Sequence, residues 1–93
     1  MQHQTAVRVV VHGRVQGVGY RAWARDEAAR QGLAGWVRND PSGTVTALLA
    51  GPRDAVDRML EAMLHGPAHA VVTSLATETA EPREAPARFE VRR

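Results

Sequence analysis

Residues 7–12 read Val-Arg-Val-Val-Val-His, a partly alternating β-branched run that predicts a strand stopped by Gly13. Residues 21–31 read Arg-Ala-Trp-Ala-Arg-Asp-Glu-Ala-Ala-Arg-Gln, and this alanine-rich, charged composition predicts a helix. Gly32 follows directly, where a helix C-terminus favours a residue with positive φ. A glycine-rich loop joins the two segments, so the chain begins as strand, loop and helix. The predicted buried stripe of this helix consists of Tyr20, Trp23 or Ala24, and Ala28.

A hairpin follows the first helix. Residues 35–39 begin a second strand, and residues 44–50 return as a third strand. Between them, residues 40–43 read Asp-Pro-Ser-Gly, with Asp first, Pro second and Gly fourth, as a type I turn prefers. The sequence therefore predicts an antiparallel pair of strands joined by a tight turn.

A second helix is predicted after the hairpin. Pro52 stands at its first position and Asp54 lies in its first turn, where a negative charge complements the helix dipole. Gly66 and Pro67 end it. The apolar residues fall at i, i+3, i+4, i+7 and i+8 and predict a stripe that faces the core: Val56, Met59, Leu60, Met63 and Leu64.

The last third of the chain predicts a fourth strand over residues 71–79, a loop over residues 82–86 and a short last strand over residues 89–92. The order is β-α-β-β-α-β, with residues 89–92 as an extra short strand at an edge. This is the α+β, ferredoxin-like arrangement, in which two helices cover one face of a mainly antiparallel sheet. The topology hosts many functions and does not itself name one.

Length and composition restrict the chemistry. We expect residues 1–93 to form a single domain, with its core spanning about residues 7–92. The chain has twelve arginines, no lysine and no cysteine. The absence of lysine excludes Schiff-base chemistry and a lysine-bearing Walker A loop. The absence of cysteine excludes thiol nucleophiles, disulfides, cysteine zinc sites and iron–sulfur clusters. Any phosphate chemistry must depend on arginine and backbone amides.

The charge distribution favours a solvated surface. The formal net charge is +2, and the arginines alternate with acids along the chain, which argues against a nucleic-acid-binding face. There is no basic and apolar leader, and no apolar run approaches the ~20 residues of a membrane helix. We therefore expect a cytoplasmic protein with no membrane segment and, by default, a monomer.

The loop over residues 13–21 reads Gly-Arg-Val-Gln-Gly-Val-Gly-Tyr-Arg and is the candidate site. Its three glycines allow close backbone approach, and the helix that follows directs unpaired amides and a positive dipole end into the loop. Such amides bind anions, phosphate above all, and Arg21 adds a fork that can bind two phosphate oxygens. From these residues alone, a connection that serves only the strand-to-helix geometry remains an equal alternative.

The same nine residues resemble the acylphosphatase signature, G-x-V-Q-G-V-x-[F/Y]-R. Residues 35–39, Gly-Trp-Val-Arg-Asn, resemble the family's second block, a glycine-led strand that ends in asparagine, and residues 43–45 also fit. The similarity runs from about Val7 to Val91. It implies hydrolysis of small-molecule acyl phosphates, which are mixed carboxylic–phosphoric anhydrides, to carboxylate and inorganic phosphate. No cofactor, metal or covalent intermediate is needed.

The resemblance also implies roles for individual residues. Arg21 holds the phosphate and Asn39 positions the attacking water. The cradle is the backbone of Val15, Gln16, Gly17, Val18, Gly19 and Tyr20. The predicted topology supports this pairing, because strands one and two run parallel with strand three between them. Two strand spacings separate their C-terminal ends by about 10 Å, which suits a phosphate on one side and a water on the other.

Three features depart from the family pattern. Tyr20 stands where phenylalanine is commoner, and we expect it to fill the same core position with its hydroxyl bonded. Asp40 follows the asparagine, and we interpret it as a turn residue rather than a carboxylate that faces the phosphate. The chain ends in Arg92 and Arg93 instead of an aromatic residue, which leaves open whether this end braces the site.

The remaining candidate ligands favour structural interpretations. His65 and His69 have the spacing of a helical metal pair, but Gly66 and Pro67 break the helix between them, so no metal site is predicted. We expect His12 to be an exposed strand residue. Two tryptophans, at positions 23 and 36, are expected to pack in the core.

Two other functions compete with the enzyme. One is a non-catalytic module of the same fold that binds phosphate or carbamoyl phosphate, as occurs in larger maturation proteins. The presence of both Arg21 and Asn39 argues against it. The other is an RNA-recognition domain, which shares the topology but needs aromatic residues on the central strands. Residues 7–12 and 44–50 contain none.

Overall fold

Two helices pack on one face of a five-stranded sheet in the computed structural model, which describes residues 4–93. The first three residues of the expected domain lie outside this range. In chain order the elements are β1 Gln4–Arg14, α1 Tyr20–Gln31, β2 Ala34–Asn39, β3 Val45–Pro52, α2 Arg53–His65, β4 Val71–Thr79, the 3₁₀ turn Pro82–Glu84 and β5 Phe89–Arg92.

The sheet order is β4-β1-β3-β2-β5. β1 pairs antiparallel with both β3 and β4, β2 pairs antiparallel with β3, and β5 pairs in parallel with β2. The predicted ferredoxin-like arrangement is confirmed, including the extra strand at an edge. Because β1 and β2 run parallel on either side of β3, their C-terminal ends lie at the same edge of the sheet, where Arg14 and Asn39 end the two strands.

The core lies between the helices and the sheet. The sheet contributes small and β-branched side chains, and α1 contributes alanines that let it approach the sheet closely. Of the predicted α1 stripe, Tyr20, Ala24 and Ala28 are buried. The predicted α2 stripe is confirmed for Val56, Met59 and Met63, which are buried, and Leu60 packs against them.

The prediction that Leu64 faces the core is wrong, because 46% of this residue is exposed to solvent. It follows Met63 by one residue, and one helical step of about 100° turns it from the core towards solvent. The other differences concern element ends. β1 continues past Gly13 because a register shift between His12 and Gly13 lets its pairing with β4 resume. Pro52 precedes α2 instead of opening it, and residues 82–84 of the predicted loop form a 3₁₀ turn.

Candidate active site

A cleft of about 730 Å³ opens at the sheet edge where β1 and β2 end. It brings together the two residues that the sequence singled out, Arg21 from the first turn of α1 and Asn39 from the last position of β2. Its full lining is Val15, Gly17, Gly19, Tyr20, Arg21, Ala22, Asn39, Val91 and Arg93. Four of the six predicted cradle residues therefore line it. Gln16 and Val18 do not, and Val18 packs against the core instead.

The loop between β1 and α1 is shaped to present backbone to this cleft. Val15 is buried and anchors the loop. Gly17 and Gly19 adopt φ of 75° and 79°, a left-handed backbone conformation that is unfavourable for residues with a Cβ. Gly19 is the N-cap of α1, and no side chain within residues 4–93 caps that end. The first amides of α1 therefore keep their hydrogens free at the cleft, and the helix dipole makes this end attractive to anions.

Arg21 is held in place by the backbone of β5. Its Nη1 donates a hydrogen bond of 3.0 Å to the carbonyl oxygen of Arg92. Across the part of the chain that the structure describes, Arg21 forms no ion pair with a carboxylate, so the rest of its guanidinium fork is available to an anion in the cleft. The sequence left open whether the end of the chain braces the site. It does, through this carbonyl and through Val91 and Arg93 in the lining.

Asn39 is fixed by its backbone and open at its side chain. It pairs with Val45 in the last rung of the β2–β3 ladder and is half-buried. Its carboxamide makes no hydrogen bond to any residue between 4 and 93, although it can donate two hydrogens and accept at its oxygen. Such a group at the wall of a cleft can orient a water molecule.

Asp40 turns its carboxylate away from the cleft. Its Oδ2 accepts hydrogen bonds from the hydroxyls of Thr44 at 2.7 Å and Thr46 at 2.6 Å, and its Oδ1 accepts from Nε of Arg38 at 3.2 Å. The amide of Gly43 donates to its carbonyl oxygen at 3.0 Å, which closes the turn. The interpretation of Asp40 as a turn residue is confirmed, and its charge is neutralised locally.

The environment of Asp40 predicts that its contribution to the stability of the fold depends on pH. Burial disfavours the ionised form, but the hydrogen bonds from Thr46, Thr44 and Arg38 outweigh it and lower the pKa of Asp40 below its ordinary 3.8. Because the pKa of Asp40 is lower in the folded state, its ionised carboxylate stabilises the fold at pH values above 3.8. This contribution is lost as the pH falls below 3.8 towards the folded-state pKa. We expect Asp40→Asn to destabilise the protein by about 1–2 kcal/mol at pH 7. Urea unfolding should show this penalty shrinking below about pH 4, and an equal penalty at pH 3 and pH 7 would contradict it.

Tyr20 fills the predicted core position and its hydroxyl has a partner. Only 1% of the residue is exposed, its ring packs against Trp23 with 5.3 Å between centroids, and its hydroxyl donates to the carbonyl oxygen of Met63 at 2.7 Å. Burial raises the pKa of Tyr20, so the hydroxyl stays protonated and remains a donor. It ties the start of α1, beside the cleft, to the end of α2.

Removing that hydroxyl should weaken the fold without changing the cleft. We expect Tyr20→Phe to lower the free energy of unfolding by about 1 kcal/mol, because the carbonyl of Met63 loses its buried donor. Urea denaturation at pH 7 measures the change, and phosphate affinity should stay within about twofold of the parent. A stability equal to that of the parent would mean that this hydrogen bond adds nothing.

The other candidate ligands lie away from the cleft lining. His12 is an exposed residue of β1, as expected, and His65 is an exposed neighbour of Glu61 on α2. Trp23 packs against the core, and Trp36 is buried with the guanidinium carbons of Arg38 and Arg92 at 4.9 and 5.1 Å from its ring centroid.

Within residues 4–93, no three histidine, aspartate or glutamate side chains are grouped as a metal site would require. In the same residues, neither helix has the length and apolarity to cross a membrane.

Comparison with known proteins gives the same answer as the cleft. The family model described as acylphosphatase matches residues 7–91. The chain belongs to the acylphosphatase family. It is 49% identical over 89 residues to an acylphosphatase of Rhizobium etli, and the match covers 96% of this chain and 95% of that one. It superposes on a crystal structure of the acylphosphatase from Bacillus subtilis with a TM-score of 0.91 at 35% identity, covering 98% of this chain and 100% of the other.

One similarity bears on the binding-module alternative. A structure of full-length HypF in a phosphate- and nucleotide-bound form superposes with a TM-score of 0.89. The match covers 98% of this chain but 12% of HypF, at 23% identity, so it shows a shared fold and no more. By contrast, the chain matches 95% of the Rhizobium etli protein and 100% of the Bacillus subtilis one.

Two contributions to the cleft were missed by the sequence analysis. Val91 and Arg93 line it, and the carbonyl of Arg92 orients Arg21. The strand over residues 89–92 was predicted, but its partner was not. β5 pairs in parallel with β2, and this pairing brings the end of the chain to the site.

Proposed function

We propose that this protein hydrolyses acyl phosphates to a carboxylate and inorganic phosphate by direct attack of water. The observation that carries the proposal is the cleft that Arg21 and Asn39 share, whose lining also includes four residues of the connecting loop: Val15, Gly17, Gly19 and Tyr20. The loop and α1 offer positive charge and backbone amides, and the end of β2 offers an uncharged carboxamide. This asymmetry matches a reaction in which an anionic group is held and a neutral nucleophile is oriented.

The phosphoryl group binds on the loop side. The amides at the start of α1 and the fork of Arg21 contact its non-bridging oxygens, where charge is concentrated in the transition state. Because these donors are held by the fold, and Arg21 is also fixed by the carbonyl of Arg92, they need no rearrangement as the reaction proceeds.

The attacking water binds on the Asn39 side. A carboxamide cannot remove a proton at neutral pH, so Asn39 acts by orienting the water along the line of the bond that breaks. The water oxygen bonds to phosphorus, the bond from phosphorus to the acyl oxygen breaks, and the carboxylate leaves with the electron pair. The protons of the water pass to oxygens of the phosphate, giving dihydrogen phosphate, which then equilibrates with solvent.

The leaving group explains why so few side chains suffice. A carboxylate is a weak base and departs without protonation, so the cleft needs no general acid. The titratable groups in its lining are two arginines and a tyrosine whose pKa burial raises. None of these donates a proton readily at neutral pH, which argues against hydrolysis of simple phosphate monoesters.

We also propose that residues 1–93 form a single domain with its core over about residues 7–92, and that the protein is a cytoplasmic monomer without nucleic-acid partners. The surface charges support the last of these points, because many arginines have acidic neighbours: Arg8 with Glu78 and Glu84, Arg25 with Asp26, Arg53 with Asp57, and Arg58 with Asp54. A surface of mixed charge offers no continuous basic track to a phosphate backbone.

Hydrolysis of benzoyl phosphate, followed in the ultraviolet, tests the function. We expect turnover by the parent protein, competitive inhibition by inorganic phosphate and no change on adding a chelator. Phenyl phosphate, a monoester with the same ring, serves as the matched poor substrate. Phosphate binding without turnover of benzoyl phosphate would instead favour the non-catalytic module.

A further inference from the structure

We propose that the side chain of Gln16 is a positioning residue that sets the spacing between the phosphate cradle and Asn39. The inference rests on the proposed function and deepens it. Gln16 belongs to the loop between β1 and α1, but its carboxamide points away from the cleft lining. Its Nε2 donates hydrogen bonds of 2.8 Å to the carbonyl oxygens of both Asp40 and Thr44.

Those two carbonyls lie where the β2–β3 turn begins and ends. The carbonyl of Asp40 also accepts from the amide of Gly43 at 3.0 Å, and the carbonyl of Thr44 accepts from the amide of Asp40 at 2.9 Å. Gln16 therefore supplies a second donor to each carbonyl of the turn. Asn39 immediately precedes this turn. The two hydrogen bonds from Gln16, which we call the clamp, therefore hold the backbone on the C-terminal side of Asn39.

The loop needs such a clamp because the sheet alone does not position it. β3 separates β1 from β2, so no ladder joins the two strands directly. Beyond β1, the loop contains Gly17 and Gly19, which restrict the backbone least. Among the hydrogen bonds of residues 4–93, the two from Gln16 are those that join residues 15–20 to residues 39–44.

The energetic consequence falls on the reaction more than on phosphate binding. Phosphate needs the amides and Arg21, and the hydrogen bonds of the Gln16 side chain go instead to the turn. In-line attack also needs a fixed distance between the cradle and the carboxamide of Asn39. A shift of about 1 Å in such an arrangement lowers a rate by roughly 10²-fold. Gln16→Ala is therefore expected to lower kcat by about 10- to 100-fold while the inhibition constant of inorganic phosphate changes by less than about threefold.

Gln31→Ala is the matched control. It removes the same carboxamide from α1, where Gln31 contacts Glu27 and Arg58 outside the cleft lining, and it should leave kcat and phosphate inhibition unchanged. Equal losses of kcat and phosphate affinity in Gln16→Ala would place Gln16 in the cradle and overturn the inference. An unchanged kcat would also overturn it.

Gln16→Glu gives a test within one protein, independent of any loss of fold in the alanine variant. An ionised carboxylate has no hydrogen to donate and is repelled by the two carbonyl oxygens, whereas a protonated one can donate to one of them. Its kcat relative to the parent should rise as the pH falls from 7 towards 5, because burial and this hydrogen bond raise a glutamate pKa above its usual ~4.3. A pH-independent ratio would contradict the clamp. A parent protein with no turnover would instead contradict the proposed function.

Discussion

Asn39→Ala is expected to lower kcat for benzoyl phosphate by about 10²–10³-fold, the range found when one preorganised group is removed from a reacting centre. Inorganic phosphate should still inhibit or bind with an affinity within about threefold of the parent. The reason is that the amides and Arg21 belong to the loop and α1, whereas Asn39 belongs to β2. The carboxamide of Asn39 also forms no hydrogen bond to any described residue that its removal would release. Steady-state kinetics and a phosphate titration measure the two quantities separately.

Two variants sharpen this prediction. Asn39→Asp keeps the shape of the side chain but adds a negative charge to the wall, so it should weaken phosphate binding as well as turnover. Ser42→Ala removes a polar group from the adjacent turn, where the hydroxyl of Ser42 contacts that of Thr44, and should leave kcat within about twofold. Full activity in Asn39→Ala would show that the water is oriented by another group.

The sequence predicted the two sides of the cleft because each rests on a local pattern. Alternating β-branched residues mark β1, a glycine-rich loop precedes α1, and an Asp-Pro-Ser-Gly turn ends the strand that carries Asn39. Once the order of elements was known, the parallel course of β1 and β2 placed Arg21 and Asn39 at one sheet edge. The structure confirms that placement, whereas the catalytic roles of the two residues stay predictions.

The contacts that hold these residues in place escaped prediction for physical reasons. Arg21 is oriented by the carbonyl of Arg92, and a carbonyl is present at every residue, so no side-chain pattern marks this one. Gln16 looked like a cradle residue by its position in the loop. The direction of its carboxamide depends on packing between loop and turn, which are separated by more than twenty residues.

Asp40 shows the opposite situation, in which local chemistry was sufficient. A carboxylate that faces a phosphate repels it, but Asp at the first position of a turn favours hydrogen bonds within its own turn. The structure shows those bonds, and they keep the carboxylate of Asp40 within its own turn although it follows Asn39 directly. Its charge is compensated by Thr44, Thr46 and Arg38, which lie outside the cleft lining.

Arg21→Ala is expected to abolish both functions of the cleft, in contrast to Asn39→Ala. We expect kcat/KM for benzoyl phosphate to fall by about 10³-fold or more, as when an arginine that stabilises a transferring phosphoryl group is removed, and phosphate inhibition to weaken at least about tenfold. Arg21→Lys keeps the charge but not the planar fork, which spans both the phosphate and the carbonyl of Arg92, so it should recover part of the phosphate affinity and little of the rate.

Arg25→Ala is the control that separates local from general electrostatics. It removes the same charge from the same helix, one turn further on, where the guanidinium pairs with Asp26 and lies outside the cleft lining. If the arginine excess as a whole attracted the substrate, both alanine variants would lose activity together, and more so at low ionic strength. We instead expect the effect to depend on the guanidinium of Arg21, which lines the cleft and is held by the carbonyl of Arg92 in β5. Comparable losses in the two variants would refute that assignment.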